Sequence, residues 1–212
     1  MSEKTANPAP LGLLGFGMTT VLLNFIHNYR LGLIDGVILG MGIFYGGLAQ
    51  IIAGILEYKK GNTFGTTAFT SYGLFWLSFV AINWLGSYRT ALYQVWPFYS
   101  GSTPWPVYDE AFAVYFLMWG FFTFIMFFGT LKTNRALQFV FMSLAILFFM
   151  LAAKSAILAY YPSTPAGTIN LFTQIIGIEG VLCGLSAVYL ALAEVLNEAH
   201  GKTVLPIGPV SQ

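Results

Sequence analysis

The residues best equipped for chemistry in this sequence are few, and two of them sit inside long apolar runs. Lys154 and Glu179 are ionisable groups within such stretches, where a charge must be paired, solvated or neutralised, so each is a functional candidate by default. Counted at about 1.5 Å per residue from the nearer helix ends, Lys154 lies roughly 9 Å deep and Glu179 roughly 15 Å. A lysine stem bridges that offset of about 6 Å, so a Lys154–Glu179 pair is expected. It serves either as a functional site or as a neutralised clamp between the fifth and sixth helices. A carboxylate there that is protonated rather than paired would carry a proton.

A second chemical feature is the start of the first apolar run, Asn7-Pro8-Ala9-Pro10-Leu11-Gly12-Leu13. Asn7 suits a helix cap and Pro8 suits the first helical position, because it lacks the N–H that would go unpaired there. The free donors and dipole of that helix end are expected to attract an anion, with Asn7 and Leu11 beside it. Further along, Phe16, Thr20, Asn24 and His27 recur at helical spacing and give one mixed face. Gln50 is deep in the second run. Thr67, Thr70, Ser71 and Leu74 share a face in the third, with Tyr72 beside it. Hydroxyls and amides in hydrocarbon need partners. Bonds between helices satisfy that need for any one residue, whereas several helices presenting such faces point to a shared polar path. A neck of Phe, Tyr and Leu in that path would gate it by dewetting.

These groups need elements to hold them. Of 212 residues, 57% are hydrophobic and 8% charged, with a mean hydropathy of +0.74. That composition excludes an ordinary soluble domain. The 23 glycines and 17% aromatics suit closely packed membrane helices with interfacial belts. Six stretches are long enough to span a bilayer, at roughly 11–27, 34–56, 67–86, 110–131, 136–159 and 169–194. The chain 1–212 therefore reads as one all-α transmembrane domain. A long aromatic loop over 86–108 separates the third and fourth spans. Lys4, Lys59, Lys60, Lys132, Arg135 and Lys202 fall on one side, against Arg30 and Arg89 on the other, which predicts cytoplasmic termini. Gly36-x-x-x-Gly40, Gly42-x-x-x-Gly46, Ala49-x-x-x-Ala53 and Gly180-x-x-x-Gly184 let helices approach closely, within a protomer or between copies.

Other chemistries find no support. Gly40-x-Gly42-x-x-x-Gly46 misses the dinucleotide fingerprint by one residue, and no metalloprotease, hydrolase or P-loop motif occurs. His27 and His200 fall at a helix end and in the tail, not where haem ligands belong. Cys183 stands alone and implies no disulfide. A net charge of +1 gives no case for a nucleic-acid partner. No cleavable signal is expected. The sequence implies no enzyme, no cofactor and no metal.

The stretch Asn7-Pro8-Ala9-Pro10-Leu11-Gly12-Leu13 resembles the signature of the acetate uptake transporter family, close to its prokaryotic succinate–acetate permease branch. The resemblance continues through Met41-Gly42-Ile43-Phe44-Tyr45-Gly46-Gly47, Glu57-Tyr58-Lys59-Lys60-Gly61-Asn62-Thr63-Phe64-Gly65 and Phe69-Thr70-Ser71-Tyr72-Gly73. It extends to Phe128-Gly129-Thr130-Leu131-Lys132, Leu137-Gln138-Phe139-Val140-Phe141 and the tail stretches around Glu194-Val195-Leu196-Asn197-Glu198 and Pro206-Ile207-Gly208. It implies a six-helix protomer with cytoplasmic termini, assembled as a homohexamer in the cell membrane. Each protomer would hold its own path for acetate and, in some members, succinate, by proton symport or by channel-like permeation. The resemblance puts a narrow gate at Phe16, Tyr72 and Leu144, and a position that tunes substrate choice at Ala187. Thr20, Gln50 and Ser71 are the expected hydrogen-bonding partners of the carboxylate near that gate. The aromatic loop, Lys154 and Glu179 depart from the family pattern.

The leading expectation is a permease for acetate and related monocarboxylates, since no arginine lies within the spans to hold a second carboxylate. Passage of a neutral solute such as ammonia, and a non-transporting anchor or sensor subunit, are the other two readings.

Overall fold

In a computed structural model, the structure describes residues 6–29, 35–87 and 109–210. Most of the aromatic loop over 86–108, with Lys4, Arg30 and Arg89, lies outside the described residues, as does the side chain of His27. The described residues form a bundle of helices with no sheet. Helix α1 is Ala9–Tyr29. Helix α2 is one continuous rod built of Asp35–Met41, a π-helical segment Gly42–Ala49 and Gln50–Lys59. The junction residues Met41 and Gln50 both keep right-handed helical angles, so the hydrogen-bond register changes without a break. Helices α3 (Thr63–Ser87), α4 (Asp109–Gly129), α5 (Arg135–Tyr160) and α6 (Ala166–His200) follow.

Among the described residues, five segments are long and apolar enough to cross a membrane: Gly36–Lys59, Thr63–Asn83, Asp109–Gly129, Arg135–Tyr160 and Ala166–His200. The apolar part of α1, Ala9–Phe25, is shorter. Helix α6 continues past the expected end at 194 to His200, where Gly201 takes a left-handed turn at φ 63°. Glycine stops the helix there because it adopts that angle without a Cβ clash.

The small residues act inside the protomer. A Cβ at Gly17 would fall 2.7 Å from the Gly184 carbonyl oxygen, and one at Gly184 would fall 2.7 Å from the Gly17 carbonyl oxygen. Helices α1 and α6 therefore touch backbone to backbone. One turn along, Asn24 fills the space over Gly180. Gly42, Gly46 and Gly47, in the π-helical segment, lie against Val80, Trp76 and Leu77 of α3. Among the described residues, nothing lies within 4 Å of a Cβ at Gly36 or Gly40.

Both ends of the described chain come to one end of the bundle. Asn7 Nδ2 donates to Glu194 Oε2 at 2.9 Å, which ties the start of α1 to the last turns of α6. The tail then crosses the start of α5. Gly208 and Ile207 carbonyls accept from the amides of Arg135 and Ala136 at 2.8 and 3.1 Å, and Val210 N–H reaches the Thr133 carbonyl at 3.0 Å. Lys59, Lys60, Lys132, Arg135 and Lys202 flank helix termini at this same end. Asn134 caps α5 by accepting from Leu137 N–H at 2.8 Å. Asn134→Ala is expected to lower stability by about 1 kcal/mol, the usual worth of such a cap. A thermal melt of the detergent-solubilised protein reads that loss, and an unchanged melting temperature contradicts it.

Candidate functional site

A cavity of about 330 Å³ opens at the end of the bundle that carries the termini. That is at the small end of the range for ligand sites, about 300–1,000 Å³. Its rim is polar: Asn7 precedes α1, Glu57 and Lys60 end α2, Asn62 precedes α3, Thr133 and Asn134 precede α5, and Glu194 lies in α6. Its interior is apolar, with Leu13, Phe16, Phe64, Ala68, Phe69, Tyr72, Val140, Phe141 and Leu144 among the lining residues and Gln50 as the polar exception.

Helix geometry orders these residues by depth. Phe16 is nine residues beyond Asn7, Tyr72 is ten beyond Asn62 and Leu144 is ten beyond Asn134. At 1.5 Å per residue, three different helices thus place their rim residues about 13–15 Å from the same inner level. Phe16, Tyr72 and Leu144 are 7%, 4% and 3% exposed and line the inner part of the cavity. The Phe16 and Tyr72 rings lie 6.1 Å apart between centroids. Tyr72 is held from all sides, by Trp119 at 6.1 Å, Phe122 at 5.5 Å and Phe141 at 6.1 Å. Its hydroxyl donates to Thr123 Oγ1 at 3.0 Å.

The third helix shows why the sequence pattern selects Tyr72. Gly65, Ala68, Phe69 and Tyr72 line the cavity, and they recur at the three- and four-residue spacing of one helical face. Ser71 is off that stripe and does not line the cavity. Thr20 does not line it either, because its hydroxyl turns back to the Phe16 carbonyl at 2.8 Å. Ala187 is wholly buried among α6 core residues, and Leu11 packs at the edge of the core; neither lines the cavity. Of the expected carboxylate partners, Asn7 and Gln50 remain at the cavity wall. Gln50 Nε2 donates to the Gly46 carbonyl at 2.7 Å, which leaves its amide oxygen as the group not engaged by that bond.

Two expectations need correction. The first turn of α1 does not offer free donors to an anion. Ala9 N–H meets Asn7 Oδ1 at 3.3 Å. Leu11 and Gly12 N–H meet the Pro8 carbonyl at 3.1 and 3.4 Å, and Pro10 has no N–H. The cap expected of Asn7 forms, and the same bonds consume the donors that the anion would have used.

The expected Lys154–Glu179 pair does not form either. Glu179 Oε1 accepts from Ser143 Oγ at 2.6 Å, and the carboxylate acting on Lys154 is Asp109 at the start of α4. Ser143 and Lys154 are eleven residues apart, about 16 Å along α5. Counting depth from helix ends assumed that the end of α5 and the start of α6 lie level. Glu179 instead meets Ser143, seventeen residues before the end of α5. Neither Lys154 nor Glu179 lines the cavity.

Sequence reasoning missed the rim. Glu57, Lys60 and Asn62 read as a turn between spans, yet Asn62 Nδ2 donates to Glu57 Oε2 at 2.6 Å and Lys60 Nζ donates to Asn7 Oδ1 at 3.1 Å. The available signal was an acid at the end of an apolar helix with a lysine three residues on, which is helical pair spacing. Among the described residues, no group of His, Cys, Asp and Glu is arranged to hold a metal ion.

Comparison with known proteins places this geometry. The model of the GPR1/FUN34/yaaH family matches residues 1–212. The succinate-acetate/proton symporter SatP of Escherichia coli K12 is 54% identical over 207 residues, covering 98% of this chain and 97% of that protein. The ammonia transport outward protein 2 of Saccharomyces cerevisiae is 35% identical over 204 residues, covering 93% of this chain and 64% of that protein. A solved structure, that of the bacterial acetate channel SatP, superposes with a TM-score of 0.77 at 53% identity, covering 97% of this chain and all of that one. These named relatives are transporters and channels, not enzymes. With the helical bundle, the closed polar-rimmed cavity and matches over nearly its whole length, the chain belongs to the GPR1/FUN34/yaaH family.

Proposed function

We propose that the chain is a membrane permease for acetate and related small monocarboxylates, with succinate as a larger substrate. The carboxylate enters the rim cavity, meets Lys60, Asn7 and Gln50, and passes Phe16, Tyr72 and Leu144 when those side chains part. The observation that carries this reading is the cavity itself, whose polar rim and apolar aromatic floor fit a small carboxylate with a short apolar tail. A single lysine and no arginine line it, which favours one carboxylate over two. The names of the relatives, a succinate-acetate/proton symporter and an acetate channel, support the same substrate class.

The basic residues at the cavity end make that end cytoplasmic by the positive-inside rule, in a prokaryotic plasma membrane. The assembly in this reading is a homohexamer in which each protomer keeps its own path, with the outward apolar faces of α4 and α6 against lipid or neighbouring copies. Liposomes carrying the purified protein are expected to take up labelled acetate saturably, above protein-free liposomes and in competition with other short carboxylates. Folded protein that adds no uptake overturns the proposal.

A second reading is passage of a neutral solute such as ammonia, favoured by the apolar floor and by the ammonia transport protein among the relatives. An imposed membrane potential separates the two. Acetate-dependent current supports the anion, and potential-independent ammonia flux supports the neutral solute.

A further inference from the structure

We propose that Thr19 and Trp76 form a second carboxylate station immediately behind the floor, which receives the substrate once it has passed Phe16 and Tyr72. This inference rests on the reading of the cavity as a carboxylate path. Among the described residues, three buried side-chain polar atoms have no hydrogen-bond partner: Glu57 Oε1, Thr19 Oγ1 and Trp76 Nε1. Glu57 Oε1 belongs to the rim, where Lys60 Nζ lies 3.6 Å away. The other two come from different helices and meet at one glycine.

Thr19 is three residues past Phe16 on α1, and Trp76 is four past Tyr72 on α3. Residues at those spacings share a helical face, so each lies one turn behind a floor residue, about 4–6 Å further from the rim. Both converge on Gly46 of the π-helical segment, where a Cβ would fall 2.9 Å from Trp76 Cγ and 3.0 Å from Thr19 Cγ2. The Gly46 carbonyl also accepts from Gln50 Nε2 at 2.7 Å, and Gln50 lines the cavity. Gly46 thus connects the polar group of the cavity interior with those behind the floor. Short π-helical segments of this kind are rare and recur at functional sites.

The missing partners point to a ligand. Both side chains are fully buried, and a buried donor without an acceptor costs stability. The fold avoids that cost at its other buried threonines, since Thr20, Thr123 and Thr130 return their hydroxyls to carbonyls three or four residues back. Thr19 supplies an O–H and Trp76 an N–H that can only donate, so what they bind is an acceptor. A carboxylate brings two acceptor oxygens. One turn past Leu144 the chain presents Leu147 and Phe148, which are buried and apolar, so the two donors are the polar groups that the floor residues have behind them.

The test uses the full chain in liposomes with labelled acetate. Thr19→Val keeps the shape of the side chain and removes its hydroxyl. It is expected to lower the maximal uptake rate about tenfold, the worth of one hydrogen bond to a charged group. KM should stay unchanged, because the rim meets the substrate first, and the variant should melt no lower than wild type. Thr19→Ser is expected to keep the wild-type rate. A hydroxyl with a structural role alone gives the reverse pattern, a lower melting temperature at an unchanged rate, and that result overturns the inference. Trp76→benzothienylalanine, an isostere with sulfur in place of the N–H, is expected to match Thr19→Val. An ordered water would satisfy the same donors, and the indole N–H resonance of wild-type protein labelled at Trp76 alone tells the two apart. It is expected to shift saturably as acetate is added at constant ionic strength. A resonance that acetate leaves unmoved means water alone fills the station and overturns the inference, and this measurement decides if the variants do not fold. Wild-type protein that moves acetate while both replacements keep its rate overturns this inference alone, whereas wild-type protein that moves no acetate overturns the transport reading beneath it.

Discussion

Tyr72→Ala is expected to speed acetate passage roughly tenfold, the equivalent of a barrier lowered by about 1.4 kcal/mol, and to admit carboxylates that the wild-type protein excludes. The Tyr72 ring is the best-held part of the cavity floor, packed among Phe16, Trp119, Phe122 and Phe141 and anchored to Thr123. Removing it leaves a gap in the floor of the rim cavity, so the passage widens where side chains now meet. The same change costs about 3–5 kcal/mol of stability, as aromatic-to-alanine changes in packed cores do. Tyr72→Phe separates the two effects. It keeps the ring and loses the bond to Thr123, at a cost of about 1 kcal/mol, and should leave selectivity unaltered. Competition of acetate uptake by longer carboxylates, measured for both variants, checks this. If Tyr72→Ala left rate and competition unchanged, the floor would not be the gate.

Gly184→Val is expected to abolish a folded, monodisperse protein. The reciprocal approach of Gly17 and Gly184 leaves 2.7 Å between each imagined Cβ and the opposing carbonyl oxygen, and backbone cannot rotate out of the way as a side chain does. Overpacking of this kind costs about 1–3 kcal/mol, and more where relaxation is blocked. Here it is blocked, because Asn24 already fills the space over Gly180 one turn away. Displacing α1 also pulls on Asn7, whose amide holds Glu194 and whose carbonyl oxygen takes the Lys60 bond, so the cavity rim fails with the packing. Gly40→Ala is the matched control. Among the described residues, no atom lies within 4 Å of its imagined Cβ, and alanine in place of a mid-helix glycine should stabilise by about 0.5–1 kcal/mol. Size-exclusion profiles and melting curves of the two variants decide. Equal behaviour would refute the account of the α1–α6 contact.

The exposed apolar side chains fit the same division of labour. Met118, Phe121 and Ile125 of α4 and Ile175, Ile178 and Leu182 of α6 project outward, as they do where lipid or another copy supplies the solvent. Phe75 and Phe79 of α3 and Tyr115 of α4 turn inward instead, with Phe75 stacked against Phe79 and Tyr115 at 5.8 and 5.7 Å.

What the sequence determined by itself was the class of fold and the run of its helices. Apolar length, sparse charge and the placement of Gly and basic residues are local properties, and a membrane-spanning helix satisfies its own backbone wherever its neighbours stand. The family motifs likewise singled out Phe16, Tyr72 and Leu144, all three of which line the cavity. Relations between helices were decided by the tertiary structure alone. Periodicity reports that a face exists, not which neighbour it meets or at what height. Ser71 and Tyr72 are therefore adjacent in the chain and part company in space, and Glu179 meets Ser143 rather than Lys154. The π-helical segment Gly42–Ala49 lies where glycines meet Trp76, Val80 and Leu77 of another helix, a contact that no local pattern announces. The donors at the start of α1 appeared free in sequence because hydrogen bonds to Pro8 and Asn7 are made only when the turn closes. Glu57 was hidden for the same reason. A residue at a helix end looks solvated until Asn62 and the neighbouring helices bury it.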